Sequence, residues 1–99
     1  TDNIAASNTE AIANVTVPAK TPVIAGEEGI CKGCGVATLS ISYYDLGVTT
    51  GKMAAKILTG EADISTMPIE FTTATPKYNA SMCETLGITP LEGYTAIAE

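Results

Sequence analysis

Histidine is absent from this 99-residue chain, which removes the commonest general base and the commonest transition-metal ligand. Tryptophan is absent too, and a single phenylalanine accompanies four tyrosines. Hydrophobic residues make up 45% of the chain, but much of that share is alanine, which covers little area. The core should therefore be thin and independent stability marginal. Five basic residues face eleven acidic ones, for a net charge of −6. The basic residues form no cluster, so the positive footprint that nucleic acid requires is lacking. No apolar run reaches the length of a membrane span, and no signal peptide opens the chain. Its start, Thr1-Asp2-Asn3, lacks Met and reads as the interior of a longer polypeptide.

What is present is organised around Thr21 to Glu61, which reads as strand, loop, strand and long helix. Val23, Ile24 and Ala25 lie between Pro22 and Gly26 and suit a short buried strand. A polar, glycine-rich loop follows. From Ala37 to Ser42, Leu39 and Ile41 alternate with Thr38, Ser40 and Ser42, the period of a strand with one buried face. The period then lengthens: Leu46, Met53, Ala54, Ile57 and Leu58 recur at helical spacing, and Gly60 suits a left-handed C-cap. Ser42-x-x-Asp45 forms a capping box for this helix. Glu27 and Glu28 fall at the carboxyl end of the first strand, where ligands of open α/β sheets bind.

The flanks are less regular. Ser7-x-x-Glu10 fits a capping box for a helix within residues 1–20, with Asp2 as the cap of an earlier start at Ile4. Pro18 ends or kinks that helix. Pro68 introduces a strand over residues 69–75, broken by Pro76-Lys77. Asn79 then caps a short helix that turns Met82, Leu86 and Cys83 inward and closes at Gly87. Ile88-Thr89-Pro90-Leu91 opens a last turn or helix ending near Ala98.

Several motifs invite chemistry and decline it. Cys31-Lys32-Gly33-Cys34 has C-x-x-C spacing, but it lies in an apparent loop between glycines rather than at a helix start, where the dipole would activate a thiol. Zinc would need two further ligands; Cys83 is one candidate, and no histidine supplies the other. Gly47 to Met53 resembles a phosphate-binding loop but has one residue too few between its glycines and ends in Met instead of a magnesium-reaching hydroxyl. Gly47-x-x-x-Gly51 instead permits close approach of a helix to a neighbour. Asn14 and Asn79 open glycosylation sequons inside helical segments, which favours chance matches. No base is placed to activate a serine or threonine. The chain therefore reads as non-enzymatic, with no catalytic residues, no metal and no cofactor.

The series Thr1-Asp2-Asn3, Pro22 through Gly29, Ala37-Thr38, Tyr43-Tyr44-x-Leu46-Gly47 and Thr50 through Glu61 closely resembles bacterial ABC-transporter substrate-binding proteins, in the group that includes tryptophan and tyrosine binders. The tail from Asn79 to Pro90 is similar to the family's closing segment. The resemblance covers about the last third of a family member. It implies an α/β chain that is a fragment of the type I periplasmic binding fold, in which two doubly wound parallel-sheet lobes close on a ligand. Residues 1–42 would be a second-lobe segment and crossover, 43–66 a first-lobe helix, and 67–99 a closing strand and terminal helix.

The resemblance also implies ligand-binding positions at Asp2, Asn3, Glu27, Glu28 and Ser42. A carboxylate at a strand end suits an α-ammonium group, and Asn3 both donates and accepts. Ser42 stands where an Asp is usual, Cys31 and Cys34 replace non-cysteine residues, and Pro18 interrupts a helix that normally runs on. The expected partners are a small solute, possibly an aromatic amino acid, and an ABC permease. The expected location is extracytoplasmic, periplasmic or as an anchored lipoprotein. Alone, the chain is expected to self-associate through faces the absent parts would cover. The competing reading is a small, self-contained, non-enzymatic interaction module whose Cys31–Cys34 pair closes a loop. A redox enzyme using that pair is the third.

Overall fold

The computed structural model describes residues 2–98, so Thr1 of the opening motif lies outside the described residues. The chain divides into two compact units, Thr1–Ser40 with Thr75–Glu99 and Ile41–Ala74.

The first unit is built on a four-stranded sheet of β1 (Ile24–Ala25), β2 (Ala37–Ser40), β3 (Thr75–Tyr78) and β4 (Thr95–Ala96), in that order. β1 pairs parallel with β2, β2 antiparallel with β3, and β3 parallel with β4. The α/β class expected from the sequence is thus observed, with a sheet dominated by parallel pairing. Four described helices belong to this unit: α1 (Asn3–Ala6), α2 (Thr9–Thr16), α3 (Glu28–Cys34) and, after β3, a helix over Ala80–Leu86. Ala25 of the sheet, Ile30, Cys31 and Cys34 of α3, and Ile97 form the core, with Ala5, Ile12 and Ala13 packed against it. That core is as thin as the composition suggests.

Several expectations need correction here. The glycine-rich loop is the helix α3. Glu27 caps it, and burial of Ile30, Cys31 and Cys34 outweighs the poor propensity of its two glycines. Gly33 is demanded by packing, since a Cβ there would lie 2.3 Å from the Thr9 hydroxyl. The buried face of β2 is its polar one. Thr38 and Ser40 are 1% and 7% exposed, whereas Leu39 is 63% exposed, because α3 packs on β2 and Thr38 is a register partner of the buried Ala25.

The expected strand over residues 69–75 is displaced to β3, which contains Pro76 and Lys77. β4 pairs with β3 only at Lys77 and Tyr78, so Pro76 has an open edge where a missing N–H breaks no ladder. Of the last turn or helix expected after Ile88, the turn forms, at Glu92 and Gly93, and it leads into the edge strand β4 rather than a helix.

At the N-terminus the helix is split. Asp2 caps α1, while the Ser7 hydroxyl donates back to the Asn3 carbonyl (2.9 Å) and Asn8 Nδ2 to the Ile4 carbonyl (2.7 Å). Ser7 is therefore turned away from the capping box expected of it. α2 stops at Thr16, two residues before Pro18. α5 (Ala80–Leu86) forms as read, with Asn79 as its N-cap, Cys83 buried and Gly87 left-handed at φ 68°.

The second unit contains α4 (Tyr43–Leu58). The Asp45 amide donates to the Ser42 hydroxyl at 3.2 Å, and Gly60 has φ 81°, so both ends follow the sequence. No residue of α4 is buried. Among the described residues, no atom lies within 4 Å of a Cβ built on Gly47 or Gly51. Beyond the helix, Asp63 accepts hydrogen bonds from the Ser65 hydroxyl (2.6 Å) and amide (2.8 Å), which hold its carboxyl below the usual carboxylate range. No helix among the described residues is long and apolar enough to cross a membrane.

Candidate functional site

Ala25, Thr38 and Lys77 are register partners across β1, β2 and β3, so their side chains share one face of the sheet. Ser40 and Thr75 are partners further along that face. The chain leaves β1 through Gly26 and enters α3 at Glu28, which sets two carboxylates at the carboxyl end of the first strand. They have different tasks. Glu27 closes the helix end: Gly29 N donates to its Oε2 at 2.9 Å and Ile30 N to its Oε1. Glu28 accepts from Lys77 Nζ at 2.7 Å, and the two side chains are 37% and 30% exposed. Near this pair, the buried Thr38 hydroxyl has no hydrogen-bond partner among the described residues.

The remaining expected site residues are more dispersed. Asp2 and Asn3 lie in the same unit, exposed at the start of α1. Asp2 uses Oδ1 to accept from the Ile4 and Ala5 amides at 2.8 and 2.9 Å, and α1 packs against α3. Among the described residues, no hydrogen bond joins Asp2 or Asn3 to Glu27 or Glu28. Ser42 belongs to the second unit, where it caps α4. Asp2, Glu27 and Ser42 are thus all helix N-caps.

Cys31, Cys34 and Cys83 are free and buried. Burial, reinforced by the neighbouring Cys83, Cys34, Glu28 and Glu27, pushes the Cys31 thiol up to about 11. Burial raises Cys34 and Cys83 as well. Neutral, inaccessible thiols are poor nucleophiles. The C-x-x-C pair lies on a helix with both thiols free, which overturns the loop-closing pair of the competing module and weighs against the redox reading.

Two contributors escaped the sequence. Lys77, the only basic residue after Lys56, passed as part of a strand break. Asn79 is more than a cap. Its Nδ2 donates to the Cys31 and Lys32 carbonyls, both at 3.0 Å, and its Oδ1 accepts from Met82 N and the Ser81 hydroxyl. It ties the end of α3 to the start of α5, and no local pattern announces such a link. On the other face of the sheet, an uncharged cavity of about 220 Å³ is lined by Ile24, Leu39, Tyr78, Ile88, Leu91 and Tyr94, among others.

A strand-end cluster of carboxylates, hydroxyls and one ammonium on an α/β sheet suits capture of a small polar solute. The chain belongs to the ABC transporter substrate binding protein family, whose model matches residues 1–99. A tyrosine-binding protein of Clostridioides difficile (strain R20291) is 34% identical over 62 residues, 63% of this chain and 18% of that protein. An ABC domain in complex with L-Trp from Streptococcus pneumoniae is 30% identical, with a TM-score of 0.79 over 97% of this chain and 34% of its own. The ligand-free, open form of a substrate-binding protein with adhesive properties from Clostridium difficile is 32% identical, with a TM-score of 0.75 over 98% of this chain and 34% of its own. The chain spans about a third of these structures and less of the curated relative. Members of this family are carriers that bind a solute rather than convert it.

Proposed function

We propose that this chain forms part of a two-lobed carrier that captures an amino acid with an aromatic side chain and presents it to an ABC importer outside the cytoplasm. The likeness along 97% of the chain to a domain that holds L-Trp carries this reading, and the tyrosine-binding relative supports it. In this reading residues 1–42 supply a second-lobe segment and crossover, 43–66 a first-lobe helix, and 67–99 the closing strand and tail. The division into two units, one of them a helix with nothing buried, supports that arrangement.

Asp2, Asn3, Glu27, Glu28 and Ser42 are the proposed ligand positions. Ligand contacts shared by two lobes favour the closed state and drive capture. The partners are the solute and a permease, and the carrier is secreted or lipid-anchored.

The 99 residues alone are expected to give no calorimetric isotherm with L-tryptophan or L-tyrosine, because the opposing lobe is not supplied. They are also expected to self-associate through the uncharged sheet face, where Ile24 is 74% exposed. A strictly monomeric sedimentation profile at high concentration counts against that. The decisive test is a hybrid in which residues 1–99 replace the matching third of the pneumococcal domain. It should bind L-tryptophan; a folded hybrid that binds neither amino acid sinks the reading.

A further inference from the structure

Glu28 and Lys77 meet from two different elements, the first turn of α3 and the strand β3. Each side chain is about a third exposed. A pair this open contributes little to stability, because water screens it and two long side chains must be held still. Opening it is correspondingly easy. On the same face, cross-strand from Lys77, Thr38 is 1% exposed and its hydroxyl has no partner among the described residues. A buried hydroxyl without a partner is costly. Glu27, by contrast, is committed through both oxygens to the α3 amides.

We propose that Glu28 and Lys77 together read the head group of a zwitterionic amino acid, with Lys77 as the specificity-determining residue for its carboxylate. The inference rests on the amino-acid reading above and adds a residue to it. An amino acid carries an ammonium and a carboxylate on one carbon. Set between the pair, it gives its ammonium to Glu28 and its carboxylate to Lys77, so both protein charges exchange partners and neither is stranded. A ligand with only one of the two charges leaves either Lys77 or Glu28 unpaired. A site built to pair both groups rejects each half.

The test uses the whole chain within the hybrid and three probes: L-tryptophan, tryptamine, which lacks the carboxylate, and 3-indolepropionate, which lacks the ammonium. Calorimetry should show L-tryptophan bound about ten- to a hundredfold tighter than either analogue. Lys77→Met should abolish the preference over tryptamine while keeping that over 3-indolepropionate, Glu28→Gln should do the converse, and Lys77→Arg should restore the original pattern. Tryptamine bound as tightly as L-tryptophan by the unsubstituted hybrid, or an unchanged preference in Lys77→Met, overturns the inference and leaves the function standing. A folded hybrid that binds no probe overturns both. Should Lys77→Met fail to fold, the analogue series on the unsubstituted hybrid decides alone.

Discussion

The two units are held by opposite means. α3 has seven residues, two of them glycine, and buries three side chains; α4 has sixteen residues and buries none. All the described buried residues, Ala25 through Ile97, belong to the first unit. Length is therefore no measure of tertiary commitment. An isolated helix of sixteen residues is marginal in water, and most helical stability in proteins comes from packing an apolar face. α4 has its caps and its apolar stripe but no buried residue, while α3 has the burial without the propensity. In the two-lobed carrier proposed above, some parts would hold shape and others meet another lobe, and the contrast suits that division.

The largest expected effect falls on α3. Gly33→Val would place a Cβ 2.3 Å from the Thr9 hydroxyl and 2.5 Å from its Cβ, and the overpacking should cost about 3 kcal/mol or end folding of the unit. Urea unfolding followed by tyrosine fluorescence measures it; a loss under about 1 kcal/mol would mean that α2 and α3 are looser than described.

Asn79→Ala removes a cap and strips two carbonyls of their donor, so a loss of about 2–3 kcal/mol is expected in the same assay. Asn79→Asp, which keeps the cap acceptor and loses the donor, should fall between it and the parent.

Alkali should separate the units. The Cys31 thiol holds its proton to about 11 in the folded chain against an ordinary 9.0. Its contribution is complete below pH 9 and lost as the pH rises towards 11. The melting temperature should drop across that window, and Cys31→Ala should flatten the drop. A difference between parent and variant that does not change with pH would remove the thiol from the explanation.

In α4 the effects are smaller and local. Ser42→Ala should cost about 1 kcal/mol of helix stability, seen as faster amide exchange in the first turn with α3 unaffected. Gly51→Ala, with nothing within 4 Å to meet, should raise helicity by about 0.5–1 kcal/mol. Destabilisation by that change would reveal a surface lying against the glycine.

Legibility followed the same divide. α4 and α5 could be read with their caps Ser42, Asn79, Gly60 and Gly87, because a cap is a bond between residues two to four apart. The pair Glu27-Glu28 could be placed at a strand end. α3 could not be read, since Gly29 and Gly33 argue for a loop and only the core shows what Ile30, Cys31 and Cys34 gain by burial. β2 was recognised as a strand, yet its inner face came out as Thr38 and Ser40, because alternation shows that two faces exist and not which one a helix covers. Lys77 was hidden in a supposed strand break.

By itself the sequence determined the local chemistry of this protein: its acidic balance, its helix ends, the carboxylates behind the first strand and the motifs of its family. Tertiary structure alone decided that Glu28 meets Lys77 across 49 residues, that Asn79 ties α3 to α5, and that Leu39 rather than Thr38 is left exposed. The reason is range. Caps and turns are settled within a few residues, whereas burial and ion pairing depend on which distant surface arrives, and no neighbouring residue carries that information.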